Sequence, residues 1–217
     1  MVQIPHGRGE RRGPDALVSQ TESRNARMRE MPVNDGLFVS TLDPYGADIT
    51  ALTSDGTAST WNKYALYLFA LPPLVSGIEL HKARLRMTAA PGATRHVRFG
   101  IYRYDTEHGK SQFRVIPGTF VDFTAGSTGI LERQLERQVV LRKGSRYYLG
   151  INVGQGVGLA CVENTSHRIV PALYDANAMA SALGRLPAKV SLKNYSKEYT
   201  VSVPWVMYLS KTGDEIM

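Results

Sequence analysis

The chain has 217 residues, 43% of them hydrophobic, and a formal charge of +7 from 26 Lys and Arg against 19 Asp and Glu. That composition supports a sizeable core without metals or disulfides, and the single cysteine, Cys161, excludes an intrachain disulfide. No apolar run approaches the roughly 20 residues of a membrane helix, and the polar, Arg-rich start lacks the apolar centre of a signal peptide, so the product is expected to stay in the cytoplasm or to be packaged into something assembled there.

Residues 1–36 stand apart from the rest. Arg8, Arg11, Arg12, Arg24, Arg27 and Arg29 are set against Glu10, Asp15, Glu22, Glu30 and Asp35, with almost no bulky apolar side chain. Such a segment has too little apolar surface to offset the entropy of its own ordering, which predicts an assembly arm that orders on a partner. Pro14 and Asp15 can start a helix reaching Arg29, with Pro32 as its stop and a thin apolar side of Leu17, Val18 and Met28. The expected docking residues are therefore Leu17, Val18, Arg24, Arg27, Met28 and Arg29, the arginines serving as bidentate partners for carboxylates.

From Leu37 onward the pattern is strand and turn, and residues 37–217 are expected to form one domain. Short strands are predicted over 37–42 and 48–53, separated by Asp43, Pro44, Tyr45 and Gly46. Residues 61–71 are apolar on both faces, the sign of a strand covered on both sides, and Pro72 and Pro73 end it. Residues 78–87 alternate Lys82, Arg84 and Arg86 with Ala83, Leu85 and Met87, placing the cations on a solvated face. Residues 95–105 alternate more strictly: Val97, Phe99 and Ile101 on one face, Arg98, Tyr102 and Tyr104 on the other, with Gly100 marking a close approach by another backbone or a bulge.

Further strands are predicted over 112–116, 120–123 and 135–141, with turns at Pro117 and Gly118 and at Lys143 and Gly144. Residues 146–153 put Tyr147, Leu149, Ile151 and Val153 on one face and Tyr148, Gly150 and Asn152 on the other. This strand and 95–105 are expected to be central, and 157–162 to pair with 146–153 across a run of glycines. One short helix is expected near 176–183, capped by Asp175 and ended by Gly184. Residues 199–209 close the sheet with Val201, Val203, Trp205, Met207 and Leu209 inward, and Pro204, which lacks an amide donor, predicts an edge or a bulge there. The expected core is Tyr67, Phe69, Leu85, Val97, Phe99, Ile101, Leu141, Leu149, Ile151, Val203 and Trp205.

Reactive constellations are missing from the sequence pattern. None of the five histidines, His6, His81, His96, His108 and His167, has ligand spacing to another, although neighbouring strands could bring His81 and His96 face to face. There is no Gly-x-Ser-x-Gly elbow, and the glycines of 150–158 lack a phosphate-loop lysine. The carboxylate pairs Asp105 with Glu107 and Glu132 with Glu136 read as surface charge and not as a glycosidase pair. No enzyme, cofactor or metal is expected. Tyr102, Tyr104 and Tyr148 are the binding candidates, since a tyrosine can stack on a sugar or fill an interface while its hydroxyl stays wet; a second sheet or the helical excursion could equally cover them.

The order of elements resembles the jelly-roll domains of structural proteins of tailed phages, in fibres, spikes and capsid decoration proteins. The residues that carry the resemblance are Leu71-Pro72-Pro73, the segment ending in Ala83-Arg84-Leu85-Arg86, Phe99-Gly100-Ile101-Tyr102, the turn and strand 141–151 with Gly144 and the Tyr147-Tyr148 pair, and Val203-Pro204-Trp205. The resemblance is one of fold and not of site. It implies an all-β, antiparallel β-sandwich of jelly-roll type and a non-enzymatic virion protein. Its arm would dock on a capsid, neck or tail subunit while its head decorates the particle or projects as a fibre or spike, as a homo-oligomer such as a trimer. No heptad run or collagen-like repeat supports a long fibre shaft. The alternative is a carbohydrate- or host-receptor-binding module that holds a surface glycan on its aromatics. The near balance of charge in the arm argues against a nucleic-acid tether, and nothing points to a membrane.

Overall fold

The structure is a computed structural model that describes residues 37–41, 61, 63–90, 92, 94–105, 112–162, 172–175, 179, 185–191 and 203–216. The chain divides into two units, Met1–Met31 and Pro32–Met217, and every described residue belongs to the second. The arm residues Leu17, Val18, Arg24, Arg27, Met28 and Arg29, the strand expected over 48–53 and nearly all of the helix expected over 176–183 lie outside the described residues.

Fourteen strands are described: β1 (Phe38–Ser40), β2 (Leu66–Ala70), β3 (Ile78–Ala89), β4 (His96–Asp105), β5 (Gln112–Val115), β6 (Val121–Thr124), β7 (Gly129–Leu141), β8 (Tyr147–Val153), β9 (Gly158–Leu159), β10 (Cys161–Val162), β11 (Ala172–Asp175), β12 (Lys189–Ser191), β13 (Val203–Pro204) and β14 (Val206–Leu209), followed by a short helix α1 (Lys211–Ile216). One sheet runs β1-β14-β3-β7, with β9 also on β3; the other runs β11-β2-β8-β4-β5-β12, with β6 also on β4. All pairings are antiparallel.

The pairings β1 with β14, β2 with β8, β3 with β7 and β4 with β5 nest inside one another like the arms of one long hairpin. Contacts of β14 with β3 and of β8 with β4 then roll that hairpin into two sheets. The result is an antiparallel β-sandwich with a jelly-roll-like strand order. Its main core lies between the sheets, where Leu80, Leu85, Met87, Val206 and Tyr208 of one meet Tyr67, Phe69, Val97, Phe99, Ile101, Leu149 and Ile151 of the other. Tyr208 ties the layers: its ring meets Phe99 edge-on at 5.7 Å, and its hydroxyl donates to the Thr119 carbonyl at 2.7 Å.

The alternation in 95–105 and 146–153 is borne out, since β4 and β8 are neighbours with Phe99 opposite Ile151 and Gly100 opposite Gly150. Three expectations are corrected. Trp205, Met207 and Leu209 do not point between the sheets; they cluster with Phe38 on the other side, while Val206 and Tyr208 face inward. The cause is the interruption after Pro204, where the Trp205 amide leaves the strand to donate to the Ala160 carbonyl at 2.8 Å and the side-chain phase slips by one. Residues 157–162 do not pair with β8, because β9 crosses to β3 and β10 pairs with β13. The strand expected to start at Leu135 begins at Gly129, which has φ 106. A helix was not expected at the C-terminus, where α1 stands.

The stretch between β8 and β14 positions the candidate site. It adds β11 and β12 to the two edges of the β2-β8-β4-β5 sheet and lays Met179, Leu186 and Val190 over that sheet's outer face, against Leu66, Leu68, Tyr102 and Phe113. This explains why 61–71 is apolar on both sides: Tyr67 and Phe69 point into the sandwich, while Leu66 and Leu68 point under the excursion.

Candidate functional site

The three tyrosines singled out in the sequence share the outer face of this sheet, but the covering segment treats them differently. Tyr102 has no exposed surface, and its hydroxyl donates to the Pro187 carbonyl at 2.8 Å. Burial pushes its pKa far above the usual phenol value, so it stays a neutral donor. Its ring lies across Gly150, where a Cβ would come within 2.6 Å of Cδ2. A ring so enclosed offers no face to a sugar, and Tyr102 is a structural residue. The close approach that Gly100 signalled comes from side chains and not from a backbone, since a Cβ there would lie 3.1 Å from Leu186 and 3.5 Å from Val115.

Tyr104 and Tyr148 pack against the same cluster but remain partly exposed. Phe113 stands between them, its ring centroid 5.3 Å from Tyr104 and 4.9 Å, nearly edge-on, from Tyr148. Tyr148 opens onto a cleft of about 380 Å³ between the end of β2 and the start of β8, lined by Ala70, Leu71, Pro73, Gly144, Ser145, Arg146, Tyr147 and Tyr148. Burial raises the Tyr148 hydroxyl above its ordinary pKa, partly countered by the nearby Arg146 charge.

The cleft wall is fixed by local chemistry. Residues 142–146 read Arg-Lys-Gly-Ser-Arg, and Gly144, at φ 82, supplies the left-handed residue the turn needs. The Tyr147 hydroxyl accepts from the Arg142 amide at 2.8 Å and donates back to the Arg142 carbonyl at 3.3 Å, clamping both ends of the turn. The Leu71 amide donates to the Tyr147 carbonyl at 2.8 Å, which joins the opposite wall. Arg142, Lys143 and Arg146 are all exposed on this turn. No side-chain hydrogen bond or ion pair among the described residues engages the Arg146 guanidinium or the Tyr148 hydroxyl. Sequence reasoning placed the turn but passed over its cations; three of them in five residues next to a Tyr-Tyr pair was the available signal.

Several other charged groups are held by partners within the domain. Lys82 and Arg84 on β3 converge on Asp214 of α1, at 2.7 and 2.9 Å, and on Glu132 of β7, at 3.0 and 3.2 Å. The face that looked like a row of solvated cations is thus a four-residue ion network with two charges of each sign. The hydrogen bond to Asp214 holds the Lys82 ammonium above its usual pKa, and the one from Lys82 holds the Glu132 carboxyl below its own. Asp105 is buried at the end of β4 and pairs with Arg114 at 2.9 Å; Glu107 lies outside the described residues.

His81 and His96 do not face each other, because the chain crosses between sheets from β3 to β4. His81 stands 3.9 Å from Asp214, whereas His96 Nδ1 is 2.8 Å from Asp122, whose second oxygen accepts from Arg98 Nε at 3.0 Å. Among the described residues there is no group of three or more His, Cys, Asp or Glu that could hold a metal ion. Cys161 is buried, as its apolar setting predicts.

Fold and site together define a jelly-roll-like β-sandwich with one sheet face covered by its own chain and a cleft lined by Tyr147, Tyr148 and Arg146. No known protein family matches the chain, and no curated protein matches it in sequence.

Proposed function

We propose that this chain is a non-enzymatic structural protein of a phage particle, with residues 1–36 docking on a capsid, neck or tail subunit and the sandwich as the head they anchor. One observation carries the reading: the composition of residues 1–36, six arginines against five acids with little apolar surface, suits a segment that orders on a partner. The strands described from Phe38 to Leu209 form the sandwich that such a segment would anchor.

The attachment point supports it. β1 pairs with β14, placing Leu37 beside Ser210, whose amide and hydroxyl donate to the Leu37 carbonyl at 2.8 and 3.0 Å. The residue that follows the arm is therefore fastened to the last strand, and pull on the arm is borne by the sheet. Deleting residues 1–36 should leave a soluble head with a cooperative unfolding transition that no longer co-sediments with particles. Incorporation of the truncated head at wild-type occupancy would overturn the proposal.

A further inference from the structure

We propose that the cleft between the end of β2 and the start of β8 binds an acidic saccharide, with the Tyr148 ring as the platform for a sugar ring and Arg146 as the partner of its carboxylate. The proposal does not rest on residues 1–36, so it stands or falls separately from the assembly role.

Three observations on the same few residues carry it. The volume, about 380 Å³, is at the low end for small-molecule sites and suits one or two sugar rings. Its lining is mostly apolar, with Ala70, Leu71 and Pro73 beside Tyr148, which is the kind of surface that the C–H faces of a pyranose cover. Arg146 lines it, Arg142 and Lys143 are exposed on the same turn, which holds no acidic residue, and the Arg146 fork is free among the described residues to take a carboxylate in two hydrogen bonds.

The site is also held in shape before any ligand arrives. Tyr147 clamps the turn at both ends, and Phe113 packs against the Tyr148 ring, so little ordering entropy opposes binding. A neutral sugar would leave the cations of the turn without counter-charge. A nucleic acid would need a cationic groove that follows its backbone with successive stacking rings. Among the residues that line this cleft there is one cation, Arg146, and no such groove.

The test is calorimetric titration of the full-length protein with sialyllactose and with tri-galacturonate, beside lactose and a thymidine oligonucleotide. At least one acidic oligosaccharide should bind saturably, with lactose about tenfold weaker or more. Arg146→Ala, at an exposed position that does not threaten folding, should weaken binding about tenfold, and Tyr148→Ala similarly, while Tyr148→Phe keeps the platform and the affinity and Arg95→Ala, an exposed cation elsewhere, changes nothing. The proposal is overturned if neither acidic sugar saturates, if lactose binds equally well, if Arg146→Ala binds like wild type, or if the oligonucleotide binds more tightly than the sugars.

Discussion

Gly150 and Gly100 face each other across β8 and β4, yet substitution at the two should differ in cost. At Gly150 a methyl group would be driven into the Tyr102 ring, which cannot retreat because it is fully buried and its hydroxyl is tied to the Pro187 carbonyl. At Gly100 the nearest atom is the end of the Leu186 side chain at 3.1 Å, which can move by a few tenths of an ångström. Gly150→Ala should therefore destabilise by about 1–3 kcal/mol, the usual range for overpacking, and Gly100→Ala by less. Urea unfolding of the two variants checks this; equal midpoints would mean that Tyr102 does not lie where it is described. The same two glycines explain how a tyrosine on an outer sheet face becomes a core residue, since without Cβ atoms the sheet forms a trough in which the ring and Leu186 can lie.

At the scale of the element, α1 is fastened across β3 by the ion network and by Gly213, which sits so close to the Leu37 carbonyl that no side chain fits there. Removing the charge with Asp214→Asn leaves Lys82 and Arg84 with Glu132 alone and should cost about 1–2 kcal/mol, between the values for an exposed pair and a buried one. The pH dependence has two limits. Glu132 is held below its usual pKa, so its contribution is present above the unfolded carboxyl value and is lost as pH falls through its lower folded value. Lys82 is held above its usual pKa, so its contribution is present below the unfolded amine value and is lost as pH rises through its higher folded one. Protection of the Gly213 and Asp214 amides from hydrogen exchange, relative to their intrinsic rates, should therefore be greatest over the neutral range and fall at both extremes; protection that does not vary with pH would show that the network does not hold the helix.

For the whole molecule, the nested pairings have a kinetic consequence. Phe38 meets Leu209 and Tyr67 meets Ile151, so most of the core forms only after distant segments have found each other. Folding should be slow, roughly milliseconds to seconds, as in other sheet proteins dominated by non-local contacts. The buried Trp61 and Trp205 provide the signal for stopped-flow fluorescence. Refolding in microseconds would contradict the topology. The same nesting places Leu37 beside Ser210 at the end of β14, so the first and last described strands share one sheet.

What the residues alone determined is whatever repeats over short distances. The alternation in Val97, Phe99 and Ile101 set the inner face of β4, the glycines at 118 and 144 marked real turns with positive φ, and the two-sided apolar run of β2 announced that something would cover it. What only the tertiary structure decided is which distant segment each of these meets. Tyr102 and Tyr148 occupy equivalent outward positions in the pattern, but one is fully buried and the other only partly. Lys82 and Arg84 read as solvated until Asp214 arrives from the far end of the chain. His81 and His96 lie on successive strands, yet the roll assigns those strands to different sheets. Periodicity records which way a side chain points. Its neighbours depend on pairings between residues far apart in sequence, which no local window contains.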